Sequence, residues 1–164
     1  SIGAIRIDPT DKKTVWVGTG ESWARNSTSV GDGMYKSTDG GDTWTNVGLK
    51  DTERIARIQV DAKNHDTVFV CATGHLWNGN EERGVFRTSD GGKTWKKVLY
   101  VDADTGCSDL AIDPQDGQIV AANAAAAAFY GWSADELTAM RIGDINTLSP
   151  AERPVGRPNE RVSV

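Results

Sequence analysis

Ser37-Thr38-Asp39-Gly40-Gly41-Asp42-Thr43-Trp44 and Thr88-Ser89-Asp90-Gly91-Gly92-Lys93-Thr94-Trp95 are one eight-residue signature written twice, with the two tryptophans 51 positions apart. Self-similarity at a period of about 50 residues marks an array of one supersecondary unit. The flanking sequence repeats with the signature. Ile5-Arg6-Ile7-Asp8 returns as Ile58-Gln59-Val60-Asp61, and Thr14-Val15-Trp16-Val17 returns as Thr67-Val68-Phe69-Val70. A third copy starts at Leu110-Ala111-Ile112-Asp113-Pro114, but after Gln118-Ile119-Val120 its strands and signature give way to an alanine-rich stretch.

Each full repeat holds four short apolar or alternating stretches: Ala4 to Asp8, Thr14 to Thr19, Gly33 to Ser37 and Thr43 to Val47, then Ile55 to Asp61, Thr67 to Ala72, Gly84 to Thr88 and Thr94 to Tyr100. They are filled by β-branched and aromatic residues and punctuated by Gly, Asn and Asp, the pattern of short antiparallel strands. Four strands per unit predict one propeller blade per repeat. The polar stretches Glu21 to Asp32 and Gly74 to Arg83 are expected to be surface loops.

Composition narrows the partners. Lys and Arg number 18 against 23 Asp and Glu, a net charge of −5 with the signs interspersed, so neither a basic stripe for nucleic acid nor a polybasic segment for a membrane is present. No apolar run approaches the length of a membrane span, and Ser1-Ile2-Gly3-Ala4 lacks the pattern of a targeting signal. The chain reads as starting inside a larger protein, which leaves export open. Two cysteines, Cys71 in an apolar stretch and Cys107 near a predicted turn, are too few for a disulfide framework and are read as small packing residues in preference to a bridge, their pairing being left open by the sequence.

In the eight-residue signature the chemistry is that of a turn. An Asp after Ser or Thr folds its carboxylate back onto backbone N–H groups, the Gly pair supplies positive φ, and the Trp is large enough to anchor a blade to its neighbour. Ser37, Asp39, Gly40, Gly41, Thr43 and Trp44, with Thr88, Asp90, Gly91, Gly92, Thr94 and Trp95, are therefore expected to clamp the hairpin between the third and fourth strands. This structural role is preferred over a catalytic one for Asp39 and Asp90. With these residues, residues 1 to about 114 resemble the Asp-box (BNR) repeats of sialidase-like and sortilin-type β-propellers, above all exported bacterial propellers. Gly31-Asp32-Gly33-Met34-Tyr35-Lys36-Ser37 and Gly74-His75-Leu76-Trp77 add to that resemblance. It implies a propeller fold; activity does not follow, since fold does not determine function.

A glycosidase needs two carboxylates on either side of the scissile bond, drawn in propellers from different blades. Two complete repeats give little scope for that, and Glu21, Glu81 and Glu82 read first as solvated loop carboxylates. His75 and Trp77 share one loop, where an imidazole and an indole can stack on sugar or peptide, or simply anchor the loop. With His65 and His75 as the only histidines, a metal site has little material, and no cofactor is expected.

The second half has another character. Asn123 is placed to cap a helix over Ala124 to Phe129, and Ser133 with Glu136 forms a capping box for the next. Asn123, the Tyr130-Gly131-Trp132-Ser133 turn and Glu136-Leu137 together resemble the opening of a PAS sensory domain over roughly residues 109 to 150, which implies signalling ancestry. The later helix and strands that close a PAS pocket have no counterpart. Pro150, Pro154 and Pro158 predict a disordered tail over 151 to 164. The two resemblances overlap between about Asp109 and Val120, and joining two truncated domains there points to a chimera rather than a natural fusion.

The expectation is thus a mainly β chain: two four-stranded antiparallel blades with an incomplete third (1–114), a short α+β PAS-like segment (115–150) and a tail. The front half is read as a non-catalytic binding or scaffold segment of an exported propeller, taking a protein or carbohydrate ligand and prone to self-association through open blade edges. The alternatives are a fragment of a propeller glycoside hydrolase and, with a cytoplasmic origin, a PAS-type sensing module.

Overall fold

A computed structural model describes residues 1–23, 25 and 27–112. The repeat becomes two copies of one sheet. Strands β1 (Ile2–Ile7), β2 (Val15–Thr19), β3 (Met34–Ser37) and β4 (Thr45–Asn46) form an antiparallel meander in chain order, and β5 (Ile55–Val60), β6 (Val68–Ala72), β7 (Gly84–Thr88) and β8 (Lys96–Leu99) form the second. The copies agree in detail. Each has a register shift near the start of its first strand, between Ile2 and Ala4 and between Ile55 and Arg57. In each, a cation lies over the ring paired to it across the second and third strands: Lys36 over Trp16 at 4.6 Å, Arg87 over Phe69 at 5.7 Å.

Alternation along the strands decides which face does what. Trp16 and Met34 of the first sheet meet Ile55, Ile58, Val60, Val68, Val70, Ala72 and Phe86 of the second, and Ala4, Val47, Leu49 and Trp95 close the rim of this core. The sheets therefore stack face to face as neighbouring blades do. Gly18 lies where Ile55 crosses, and a Cβ there would run into the Ile55 side chain. The polar end of the seam is closed by Asp8, whose carboxylate accepts from the backbone of Thr10 and Asp11 and pairs with His65 at 2.7 Å. Burial pushes the Asp8 carboxyl up, but these backbone bonds and His65 outweigh it, and its pKa is lowered.

The outer face of the second sheet is covered too. Cys107 is joined to Cys71 by a disulfide, with Cα atoms 5.1 Å apart. This corrects the reading of the two cysteines as independent packing residues. In the repeat, Cys71 stands where Gly18 stands and Cys107 where Ile55 stands, so the bridge links residues that pack on each other in the first seam. Further contacts hold the same segment: Cys107 N–H to Ala72 O at 3.0 Å, Gln59 Nε2 to Leu110 O at 2.9 Å and Arg57 to Asp109 at 2.6 Å. As a result every residue of β6 is buried.

Strand positions match the expected ones, with altered ends. β1 starts at Ile2 rather than Ala4, and β4 shrinks to Thr45–Asn46 because Thr43 is held in the preceding turn. A one-turn 3₁₀ helix at Lys50–Thr52, absent from the sequence reading, carries the chain between sheets. Of the third repeat only Leu110 to Ile112 falls among the described residues; the PAS-like positions Asn123, Tyr130, Gly131, Ser133 and Glu136, the segment 115–150 and the tail 151–164 lie outside them.

Candidate functional site

The Gly-rich signature turns are built alike. In the first, Ser37 Oγ accepts from Gly41 N–H at 2.9 Å and donates to Asp39 Oδ1 at 2.7 Å, while Thr43 donates to the same carboxylate from its backbone at 2.9 Å and from its hydroxyl at 2.5 Å. In the second, Thr88 Oγ1 accepts from Gly92 N–H at 3.0 Å, and Asp90 accepts from Thr88, Lys93 and Thr94. The Thr43 hydroxyl first, then the Thr43 backbone and Ser37, hold the Asp39 carboxyl far below its ordinary value, and Thr94 and Thr88 do the same to Asp90. Each carboxylate is thus engaged by donors of its own turn, which holds the turn closed.

The glycines are required: Gly40, Gly41, Gly91 and Gly92 all have positive φ. The tryptophans part company. Trp95 Nε1 reaches across the seam to Val47 O at 2.6 Å, whereas Trp44 Nε1 turns back to Gly41 O at 2.9 Å in its own turn.

His75 and Trp77 come together with residues that sequence reasoning missed. The β2–β3 and β6–β7 connections and the link between sheets enclose a cleft of ≈ 410 Å³, lined by Thr28 and Val30, by Glu53 and Arg54, and by His75 and Trp77 among others. One chain of polar contacts crosses it. His75 Nε2 lies 3.3 Å from Glu53 Oε1, Glu53 Oε2 accepts from Arg54 Nη1 at 2.6 Å, and Arg54 Nη2 donates to Thr28 Oγ1 at 3.3 Å. Arg54 is buried, and its Nε has no partner among the described residues.

Glu53 earns its position through backbone strain. Its φ is +55°, in the left-handed region that glycine usually occupies, and its carbonyl accepts from Gly31 N–H at 2.8 Å, which ties the β2–β3 loop to the link. On the other side Arg83 braces the β6–β7 loop from beneath, donating to His75 O at 2.6 Å and Asn78 O at 3.0 Å. Trp77 then stands 81% exposed on a fixed loop. A large indole left in water beside a braced acid, base and imidazole is suited to stacking on a planar or ring-shaped ligand, with Glu53 and His75 available for its polar edge. Among the described residues no group of three or more His, Cys, Asp and Glu gathers as metal ligands. Glu21 is paired with Arg25 at the edge of the β2–β3 loop, and its carboxyl is lowered chiefly by that bond.

No protein-family model matches the chain. Over 78 residues it is 35% identical to vacuolar protein sorting/targeting protein 10 of Kluyveromyces lactis, a match spanning 43% of this chain and 4% of that protein. Among solved structures it is similar to an ancestral GH74 enzyme, at a TM-score of 0.47 and 20% identity over 66% of this chain and 13% of the enzyme. The GH74 xyloglucanase of Xanthomonas campestris gives a TM-score of 0.44 and 18% identity over 69% and 17%, and a GH74 enzyme of Niastella koreensis 0.43 and 23% over 59% and 14%. The chain thus spans a small part of each protein it matches.

Proposed function

We propose that residues 1–114 are a non-catalytic binding and scaffold segment of an exported Asp-box β-propeller, and that the ligand is taken at the cleft between the Glu53–Arg54 link and the loop carrying His75 and Trp77. The observation that carries this reading is the exposed Trp77 held on a loop braced by Arg83, next to the His75–Glu53–Arg54–Thr28 chain. Two further points support it. The sorting and targeting named for the yeast relative is a task of binding rather than turnover. The Cys71–Cys107 bridge suits the oxidising surroundings of an exported protein.

The test is a binding screen of the purified chain against sialosides, β-glucans and a peptide array, repeated with Trp77→Ala and His75→Ala. Binding to one class that Trp77→Ala abolishes, at an unchanged melting temperature, is the expected result. Hydrolysis of any of these glycans by the chain itself would overturn the non-catalytic reading. The PAS-like resemblance of residues 109 to 150 rests on the sequence alone, and bound flavin or haem absorbance in the purified chain would move the functional weight to that half.

A further inference from the structure

Asn78-Gly79 is the one Asn-Gly pair of the chain, and it lies in the braced β6–β7 loop directly after Trp77. Both residues are exposed, and Asn78 helps to line the cleft. The other described asparagines differ on two counts. Asn46, Asn64 and Asn80 each accept a backbone N–H through the side-chain oxygen, from Gly48, Asp66 and His75, and they are followed by Val47, His65 and Glu81. The Asn78 carboxamide holds no such bond among the described residues, and Gly79 sets no Cβ beside its own nitrogen.

Arg83 is a cation without a counter-ion at this pair. It is buried, forms no salt bridge among the described residues and gives its donors to three main-chain carbonyls: His75 O at 2.6 Å, Asn78 O at 3.0 Å and Asp104 O at 3.2 Å. Of these, Asn78 O belongs to the peptide group whose nitrogen is that of Gly79. A guanidinium on that oxygen stabilises the negative charge that appears there when the Gly79 nitrogen loses its proton.

We infer that Asn78 is a site of self-modification: the Gly79 nitrogen closes on the Asn78 side chain while Arg83 holds the charge developing on Asn78 O, and the product is an isoaspartyl linkage. The Gly79 nitrogen gives up its proton to solvent and bonds to Asn78 Cγ. The Cγ–Nδ2 bond breaks, and Nδ2 takes up a proton and leaves as ammonia. Water then adds to the ring carbonyl that Arg83 polarises, and the bond from that carbon to the Gly79 nitrogen breaks. The former Asn78 main-chain carbonyl becomes a carboxylate facing Arg83, and the main chain runs on through Cβ and Cγ, a methylene longer. Arg83 thereby gains an ion pair, and the loop that presents Trp77 is changed for good. The step needs no ligand, so it stands or falls apart from the binding reading of the cleft.

The experiment incubates the purified chain at mildly alkaline pH, once folded and once unfolded in urea. Peptide mapping by mass spectrometry follows each asparagine, and isoaspartyl methyltransferase labelling counts the isoaspartyl product. In the folded chain Asn78 is expected to convert ahead of Asn46, Asn64 and Asn80, at least as fast as it does in urea and with a larger isoaspartyl share. Arg83→Met is expected to slow the folded reaction roughly tenfold, the worth of one charge-assisted hydrogen bond, and to leave the rate in urea unchanged. If Arg83 only braced the loop, the same substitution would free Asn78 and speed the reaction. A folded rate that rises or holds steady in Arg83→Met would therefore overturn the inference. So would an unaltered chain whose Asn78 converts more slowly folded than unfolded, a comparison that needs no variant to fold.

Discussion

Trp44 and Trp95 close equivalent turns with the same Ser/Thr donors around equivalent carboxylates, yet one is a seam residue and the other stays at home. Trp95 Nε1 donates to Val47 O in the other sheet; Trp44 Nε1 donates to Gly41 O three residues away. The turn is therefore a self-sufficient local structure, and what its tryptophan does depends on whether a sheet lies against it. The two seams differ in the same instructive way. Where Ile55 crosses Gly18 the contact is van der Waals alone, while at the equivalent place Cys107 is bonded to Cys71. One position in the repeat thus holds its neighbour either by close packing or by covalent linkage.

The covalent seam gives the largest expected effect. Closing a loop between residues 36 apart restricts the unfolded chain, worth roughly 4 kcal/mol on a chain-entropy account. Cys71→Ser with Cys107→Ser, or addition of a reductant, should lower the urea midpoint accordingly. Hydrogen exchange should rise first in β6 and in residues 106–110. A midpoint indifferent to reductant would mean that Gln59 and Arg57 hold the segment unaided.

Next comes the tryptophan pair. Trp95→Ala removes a partly buried ring and a hydrogen bond across the seam and should cost about 3 kcal/mol, against about 1 kcal/mol or less for Trp44→Ala. Equal losses in chemical denaturation would break the distinction between the two turns.

A finer contrast uses the glycines. Gly41 and Gly92 have φ of +105° and +95°, so alanine at either imposes a similar backbone penalty of about 1 kcal/mol. Around Gly41 an added Cβ meets Trp44 Cζ2 at 3.5 Å, an ordinary contact, whereas at Gly92 it meets the Trp16 ring at 3.1 Å and Val47 Cβ at 3.3 Å. Gly92→Ala should therefore cost about 1 to 3 kcal/mol more than Gly41→Ala. The difference in melting curves isolates seam packing from backbone strain.

Much of this was legible in the residues, because the repeat fixes sheet number, strand order and the turn. Gly84 to Thr88 falls where its pattern places it, since Gly84 needs positive φ and Thr88 begins the turn. Thr43 and Trp44 read as strand by composition, but Asp39 captures Thr43 and keeps both in the turn. The disulfide was hidden by counting cysteines rather than aligning them: setting the third copy on the second puts Cys107 at Ile55's position, and that alignment was the available signal. The cleft was half legible. His75 and Trp77 stand out in their loop, but Glu53 sits in a link without pattern, and only the fold brings it 3.3 Å from an imidazole 22 positions away.

Acid supplies the smallest expected difference between the turns and so the control for the others. Asp39 and Asp90 have carboxyls depressed in the folded chain by their Thr and Ser donors, from an ordinary value of 3.8. A depressed carboxyl stabilises the fold at pH above its unfolded value, and that contribution is lost as pH falls from about 4 towards the folded value. Denaturation midpoints should hold from neutrality to about pH 5 and then decline. Asp39→Asn and Asp90→Asn should each flatten that decline by a similar amount, because the donors around the two carboxylates are the same in kind. A decline flattened by Asp90→Asn alone would mean that the first turn opens without a sheet against it, and that its geometry depends on docking after all.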